Sequence, residues 1–424
     1  MLSAVSRTLI SLRVRNYRMF FVAQLVNWTG TWVQWVAQGW LVLELTHSGF
    51  ALGLVTALAW SPILVFGPWA GVIVDRFDKR RVLLFTNVAS ALGALVLGVA
   101  TVTGIVTLWM VVSIALLLGF ITALDNPSRQ TFTLEMVGRE RLTNAVSLNT
   151  ATFTAARALG PAIAGLLITT VGIGECFLFD SLSFIPITIV LLRMNRDELR
   201  PAEQIERKPG QVRDGLRYVA SVPVLRGLLT IMAVVGTLQF NFQLLLPLLA
   251  KQSFSGNAAT LGLLGTMLGI GMLVGSLMNA ALGRPVRSVL LVGGLSLGAF
   301  TLLVAAAPTL WLAAVLMIPL GAASTSFLAT INSTLQLSSS DQMRGRVMAL
   351  YFVLFLGSTP IGAPVIGWIA ETFTPRAALA LGGVATLCAC AYALVRLPRY
   401  NFTAGGVEEA RGEGVSGEVL QESS

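Results

Sequence analysis

Five polar residues, Gln24, Asn27, Thr31, Gln34 and Gln38, recur at steps of three and four along an otherwise apolar stretch. A helix would carry them as one stripe, with Trp28, Trp32 and Trp35 as an adjacent stripe. Amides donate and accept hydrogen bonds but do not titrate, so their chemistry is recognition. Facing lipid they would be costly, which predicts that they line an internal cavity; the competing reading is that they bond neighbouring helices. Gln239 and Gln243, four apart, and Ser324 with Thr330 extend the same chemistry into the second half of the chain. Arg157 is the one cation inside an apolar stretch, about 14 residues from either end, or ~21 Å of helix rise on each side. Snorkelling covers only part of that distance. The guanidinium must therefore sit in a hydrated cavity, able to receive a carboxylate or phenolate, or else be tied up by carbonyls or an acid. Asp180 is the candidate for exchanging a proton, because Glu44 and Glu175 fall nearer one interface and Asp125 near the other. Counting out and back through a turn near Gly172 separates Arg157 and Asp180 by about eight residues of height, ~12 Å, too far for a direct pair.

Catalytic chemistry finds no support. The apolar stretches hold no HExxH and no GxSxG, and no G-x-x-x-x-G-K-[ST] loop exists to bind a nucleotide. His47 is the only histidine and lies at a turn. Cys176, Cys388 and Cys390 fall in or at apolar stretches and suit neither a disulfide framework nor a zinc site. The expectation is a chain that is not an enzyme, with no catalytic residue, no metal and no cofactor.

The elements that must hold these residues are membrane helices. Of 424 residues 55% are hydrophobic and 12% charged, with mean hydropathy +0.78, against about 25% charged in a soluble domain. Spans of about 20 apolar residues fall near 17–45, 50–74, 82–104, 105–123, 143–171, 174–192, 225–249, 258–282, 288–307, 310–335, 347–371 and 377–395. A polar linker, 193–213, divides an N-terminal bundle (1–192) from a C-terminal one (214–400), and the Gly-, Glu- and Ser-rich tail 401–424 reads as disordered. Alternate inter-span segments hold 26 of the 29 Lys and Arg; the opposite ones hold only Lys251 and Arg376. That asymmetry predicts both termini in the cytoplasm and a multi-pass protein of the cytoplasmic (inner) membrane. The net charge of +9 serves topology, so no nucleic-acid partner is expected.

One junction is more specific. Gly71, Asp75, Arg76, Lys79, Arg80 and Arg81 follow the pattern G-x-x-x-D-R-x-x-[KR]-[RK] between the second and third spans. This closely resembles the signature of the major facilitator superfamily. The resemblance implies a twelve-helix all-α fold in two six-helix pseudo-repeats, with the solute site between the halves. It implies too that the glycine lets the second helix approach the eleventh, whose positive N-terminus the acid faces, holding the cytoplasmic side shut. A weak internal repeat agrees: Gly71/Asp75 is echoed by Gly275/Asn279, Asn126 and Gln130 by Asn332 and Gln336, and Arg141 by Arg346. Since Asn279 replaces the acid, the latch should be asymmetric. Gly160, Pro161 and Gly165 resemble the G-P-x-x-x-G element of exporters in the superfamily. The text Asp125-Asn-Pro127-Ser-Arg129-Gln130, with Asp214-Gly-Leu-Arg217 and Arg344-Gly345-Arg346, looks like the branch of enterobactin exporters and macrolide-efflux relatives. One departure stands out: drug–proton antiporters carry an arginine within the fourth helix, and 108–123 has none. The expected function is secondary active export of a small amphiphilic molecule, drug-like or siderophore-like, coupled to protons, by a monomer in the bilayer. The alternatives are an importer or facilitator of the same fold, or a non-transporting membrane sensor.

Overall fold

The computed structural model describes residues 10–195, 198–199, 211–282 and 287–396; within the helices it leaves the surroundings of a few residues undescribed, among them Gly71, Asp75 and Asp341. The tail 401–424 and most of the polar linker lie outside the described residues. What remains is helical. The first set is α1 (Arg15–Thr46), α2 (Gly49–Arg76), α3 (Lys79–Val102), α4 (Leu108–Val137), α5 (Leu142–Thr170) and α6 (Ile173–Arg193). A short α7 (Gln211–Ser221) precedes α8 (Pro223–Leu238), α9 (Phe242–Leu248) with a π turn Leu249–Ser253, α10 (Ala258–Leu282), α11 (Arg287–Ala306), α12 (Leu310–Leu337), α13 (Asp341–Thr372) and α14 (Pro375–Arg396). Among the described residues eleven helical segments are long and apolar enough to cross a membrane. The equally long α1 is not one of them, because its amides and indoles lower its hydropathy.

Turn chemistry explains the joints. His47 ends α1 in the left-handed region at φ 55°, its N–H donating to Leu43 O. Ser48 then caps α2, its hydroxyl accepting from Ala51 N. Asp78, within the cluster of charges read as an exit from the membrane, caps α3 by accepting from Arg81 N at 3.2 Å. Hydroxyls inside the helices are mostly satisfied by the carbonyl one turn back, as Thr122 is by Leu118 O and Thr330 by Ser326 O. Large apolar side chains point outward all round, and Trp109 and Trp311 stand 77% and 72% exposed at the starts of α4 and α12. Such inversion suits lipid, with indoles at its boundary.

Two expected spans are corrected. The fourth does not stop near 123: α4 continues through Pro127 to Val137. Pro127 cannot supply the N–H that would bond Ala123 O, and Ser128 Oγ donates to Leu124 O. The seventh is not one helix over 225–249 but breaks at Gln239–Asn241, between α8 and α9.

Packing is dense within α1–α6, where α1 lies on α5 and α6, α3 on α6, and α2 on α4. It is dense again within the later helices, where α10 lies on α12, α11 on α12 and α14, and α8 on α13. Between the two sets run α2 against α13, α5 against α10, and α1 against α9. Close approaches between the sets include several at the end carrying the α1–α2 turn. Gly49 and Gly53 lie against the backbone of Ala363 and Gly367, and Gly165 against Ala258 and Gly262.

Candidate functional site

α1 separates two surroundings. On one side its tryptophans face the space between the helix sets. Trp28 meets Phe153 of α5 edge-on at 5.3 Å, Phe153 meets Trp32 at 5.6 Å, and Trp35 meets Trp60 of α2 at 5.1 Å. The Arg157 guanidinium lies 5.2 Å over the Trp32 ring, a cation–π contact. Trp32, Trp35 and Arg157 border a small, partly open cavity of about 50 Å³. Trp32, Trp35, Arg157 and Pro161 form one wall, while Phe242, Gln243, Leu268 and Met272 belong to the other. Among the described residues no carboxylate pairs with Arg157, so its N–H groups remain available to a solute. The wall is largely apolar and aromatic with two polar anchors, the composition expected of a small-molecule site.

Small residues bring the walls together. Gly160 abuts the Trp32 backbone, the Pro161 carbonyl lies 2.8 Å from where a β-carbon at Gly262 would stand, and Gly269 packs on Ala158. The glycine–proline element of α5 therefore forms a seam with α10 beside the cavity.

On its other side α1 carries the buried amides. Gln24, Asn27 and Gln34 are 1%, 2% and 4% exposed, while Gln38 is half-buried. Asp180 of α6 is wholly buried against Gly30, where a β-carbon would stand 2.9 Å from Asp180 Oδ1. Ser183 Oγ donates to the Asp180 carbonyl O at 2.7 Å and lies 3.3 Å from Oδ1, while Thr31 Oγ1 donates to Asn27 O; Oδ2 has no partner among the described residues. Asp180 and Arg157 thus meet α1 within two residues of one another, at Gly30 and Trp32, about one turn apart in height at most. Counting through the Gly172 turn overestimated their separation, since helices that lean past each other do not keep residue number as a measure of depth. They do not pair, because α1 stands between them.

The unanticipated cluster lies lower on α1. Arg129 Nη2 is 2.8 Å from Asp125 Oδ2, Arg129 Nη1 donates to Gln24 Oε1 at 2.6 Å, and Thr86 Oγ1 donates to Asp125 Oδ1 at 2.7 Å. Because α4 continues to Val137, Arg129 lies within the fourth helix, beyond the stretch 108–123. The four-residue spacing of Asp125 and Arg129 was the available signal; Pro127 between them masked it.

The remaining expected residues are dispersed. Gln239 does not join Gln243 at the cavity: the break turns it towards α11, where Nε2 donates to Thr301 Oγ1 at 2.7 Å. Arg80 is buried and donates from Nε and Nη2 to Leu191 O and Leu192 O at the end of α6. Lys79 Nζ donates to Phe77 O, and Arg76 is exposed. The surroundings of Gly71 and the side chain of Asp75 lie outside what is described.

Residues 6–412 match the transmembrane secretion effector family of major facilitator transporters. The chain belongs to that family. Its relatives include the staphyloferrin A transporter of Staphylococcus aureus, 25% identical over 88% of this chain and 94% of that protein. The enterobactin exporter EntS of Shigella flexneri is 25% identical over 88% of this chain and 89% of the exporter. The fold is shared with a bacterial homologue of the lysosomal transporter Spinster in an inward-facing, occupied conformation (TM-score 0.71, 13% identity, 92% and 97% of the two chains). It is shared as well with the nucleoside transporter NupG (TM-score 0.70, 12% identity, 90% and 99%). The chain is a multi-pass membrane transporter and not an enzyme.

Proposed function

We propose that this transporter exports a small amphiphilic molecule, a siderophore-like metabolite or drug-like compound, across the cytoplasmic membrane by alternating access. The observation that carries this is Arg157 on the face of Trp32, without a carboxylate partner among the described residues, in a cavity walled by both helix sets. An acidic, aromatic or amide-bearing solute would pair with the guanidinium and stack on the indoles. Two relatives named for siderophores favour that end of the range.

In this reading α1 counts as a twelfth span, both termini face the cytoplasm, and a monomer of two six-helix bundles, residues 1–192 and 214–400, rocks about the cavity. Gln243, on the cavity wall, adds a polar contact for the solute. Asp180, buried behind α1 at the level of the solute, is the coupling carboxyl: it exchanges a proton as α1 shifts, so that the transport is proton-driven. Asp75 closes the cytoplasmic side as the superfamily signature implies. The test compares the solutes of cells and medium with and without the protein. A compound lost from the medium and retained in cells lacking the protein is expected; a compound retained only when the protein is present would reverse the direction.

A further inference from the structure

The end of the molecule away from the start of α1 and the end of α14 carries a contact that the superfamily signature does not describe. Glu371 lies in the last turn of α13, where the helix dipole is negative and an acid is locally disfavoured. Its carboxylate crosses to the other helix set. Ser48 Oγ donates to Glu371 Oε2 at 2.5 Å and Phe50 N donates to the same oxygen at 2.8 Å. Both donors belong to the start of α2, so the acid sits on that helix's positive end. Ser48 is shared: its oxygen caps Ala51 N while its proton goes to Glu371.

A cation grips the same hairpin from its other side. Lys251, in the π turn after α9, donates from Nζ to Leu43 O at 3.2 Å in the last turn of α1, with Nζ 5.6 Å over the Trp40 ring. Trp40 Nε1 in turn donates to Glu44 Oε1 at 2.7 Å. The α1–α2 hairpin is therefore held by a positive charge at the negative end of α1 and a negative charge at the positive end of α2, both supplied by the later helices. Glycines make the reach possible, since a β-carbon at Gly49 would stand 3.0 Å from Gly367 O and one at Gly53 would collide with Ala363 O.

We infer that Glu371 and Lys251 form a two-point clasp that holds this end of the transporter shut, and that the clasp must release for the cavity to open there. Separation of the helix sets at this end removes both contacts at once, so each favours only the closed state. The inference rests on the alternating-access reading.

The test places spin labels on cysteines introduced at Leu45 and Phe373, in a background lacking Cys176, Cys388 and Cys390, and records their distance distribution in purified protein. Glu371→Gln and Lys251→Gln should each raise the ratio of open to closed distances about three- to tenfold, and the double variant should raise it further. Ser48→Ala should act more weakly, because Phe50 N remains. Glu175→Gln, at the same end but within one helix set, should leave the distribution unchanged. A Glu371→Gln protein that keeps the parental thermal transition and an unchanged distribution overturns the clasp. If Glu371→Gln does not fold, Lys251→Gln decides alone. Distances are read without any solute, so a failed transport assay would leave the clasp intact, and an absent shift would leave the transport direction intact.

Discussion

At the scale of single residues, the account turns on Arg157. A hydrogen bond to a charged group contributes about 1.5–3 kcal/mol, so Arg157→Gln should weaken solute binding roughly 10- to 100-fold. The protein should still fold and insert, since the guanidinium's contact is the Trp32 face and no buried ion pair is broken. Arg157→Lys keeps the charge without the planar fork and should retain part of the transport. Solute transport and binding by purified variants check this; near-normal transport by the Gln variant removes Arg157 from the site. Arg157 and the tryptophans were legible in the sequence because a lone cation among apolar residues, and indoles at helical spacing, need no neighbours to be conspicuous. The destinations of the amides were not legible. Periodicity put Gln24 on a stripe, but only the position of α4 shows that it accepts from Arg129.

At the scale of elements, helix ends carried the misreadings and also the regulation. The polar run Asp125–Gln130 has the composition of a loop, yet it lies inside α4, where an Asp–Arg pair and a threonine satisfy it. The amides at 239 and 243 share a face only if the helix is continuous, and the break at Gln239–Asn241 separates them. Neither outcome follows from local propensity; both depend on which helix packs alongside. The expected latch at the other end of α2 is likewise an element-scale device. An acid facing a helix N-terminus is stabilised by about 0.3–2 kcal/mol. Asp75→Asn should therefore cut the transport rate about two- to thirtyfold with little change in membrane expression, whereas Asn279→Ala, which removes no charge, should do much less. Rates measured at matched protein levels decide it, and equal effects of the two substitutions would refute an asymmetric latch.

At the scale of the whole molecule, the organisation came through with least loss. Hydropathy and the 26-to-2 distribution of cations outlined the spans and the expected orientation, because a bilayer imposes length and charge rules that do not depend on the partner of any residue. Where the two helix sets touch could not be read, since glycines such as Gly53 and Gly262 look like ordinary membrane-helix composition until their opposite neighbours are known. The central claim is that the cavity beside Arg157 moves a solute outward at the expense of a proton gradient. The measurement that tests it most directly is uptake of the solute identified from cells and medium into everted membrane vesicles, energised by an imposed gradient that is acidic inside. The account predicts accumulation in everted vesicles, abolished by collapsing the gradient and reduced at least tenfold by Arg157→Gln. Accumulation in right-side-out vesicles instead, or uptake indifferent to both the gradient and Arg157, would contradict it.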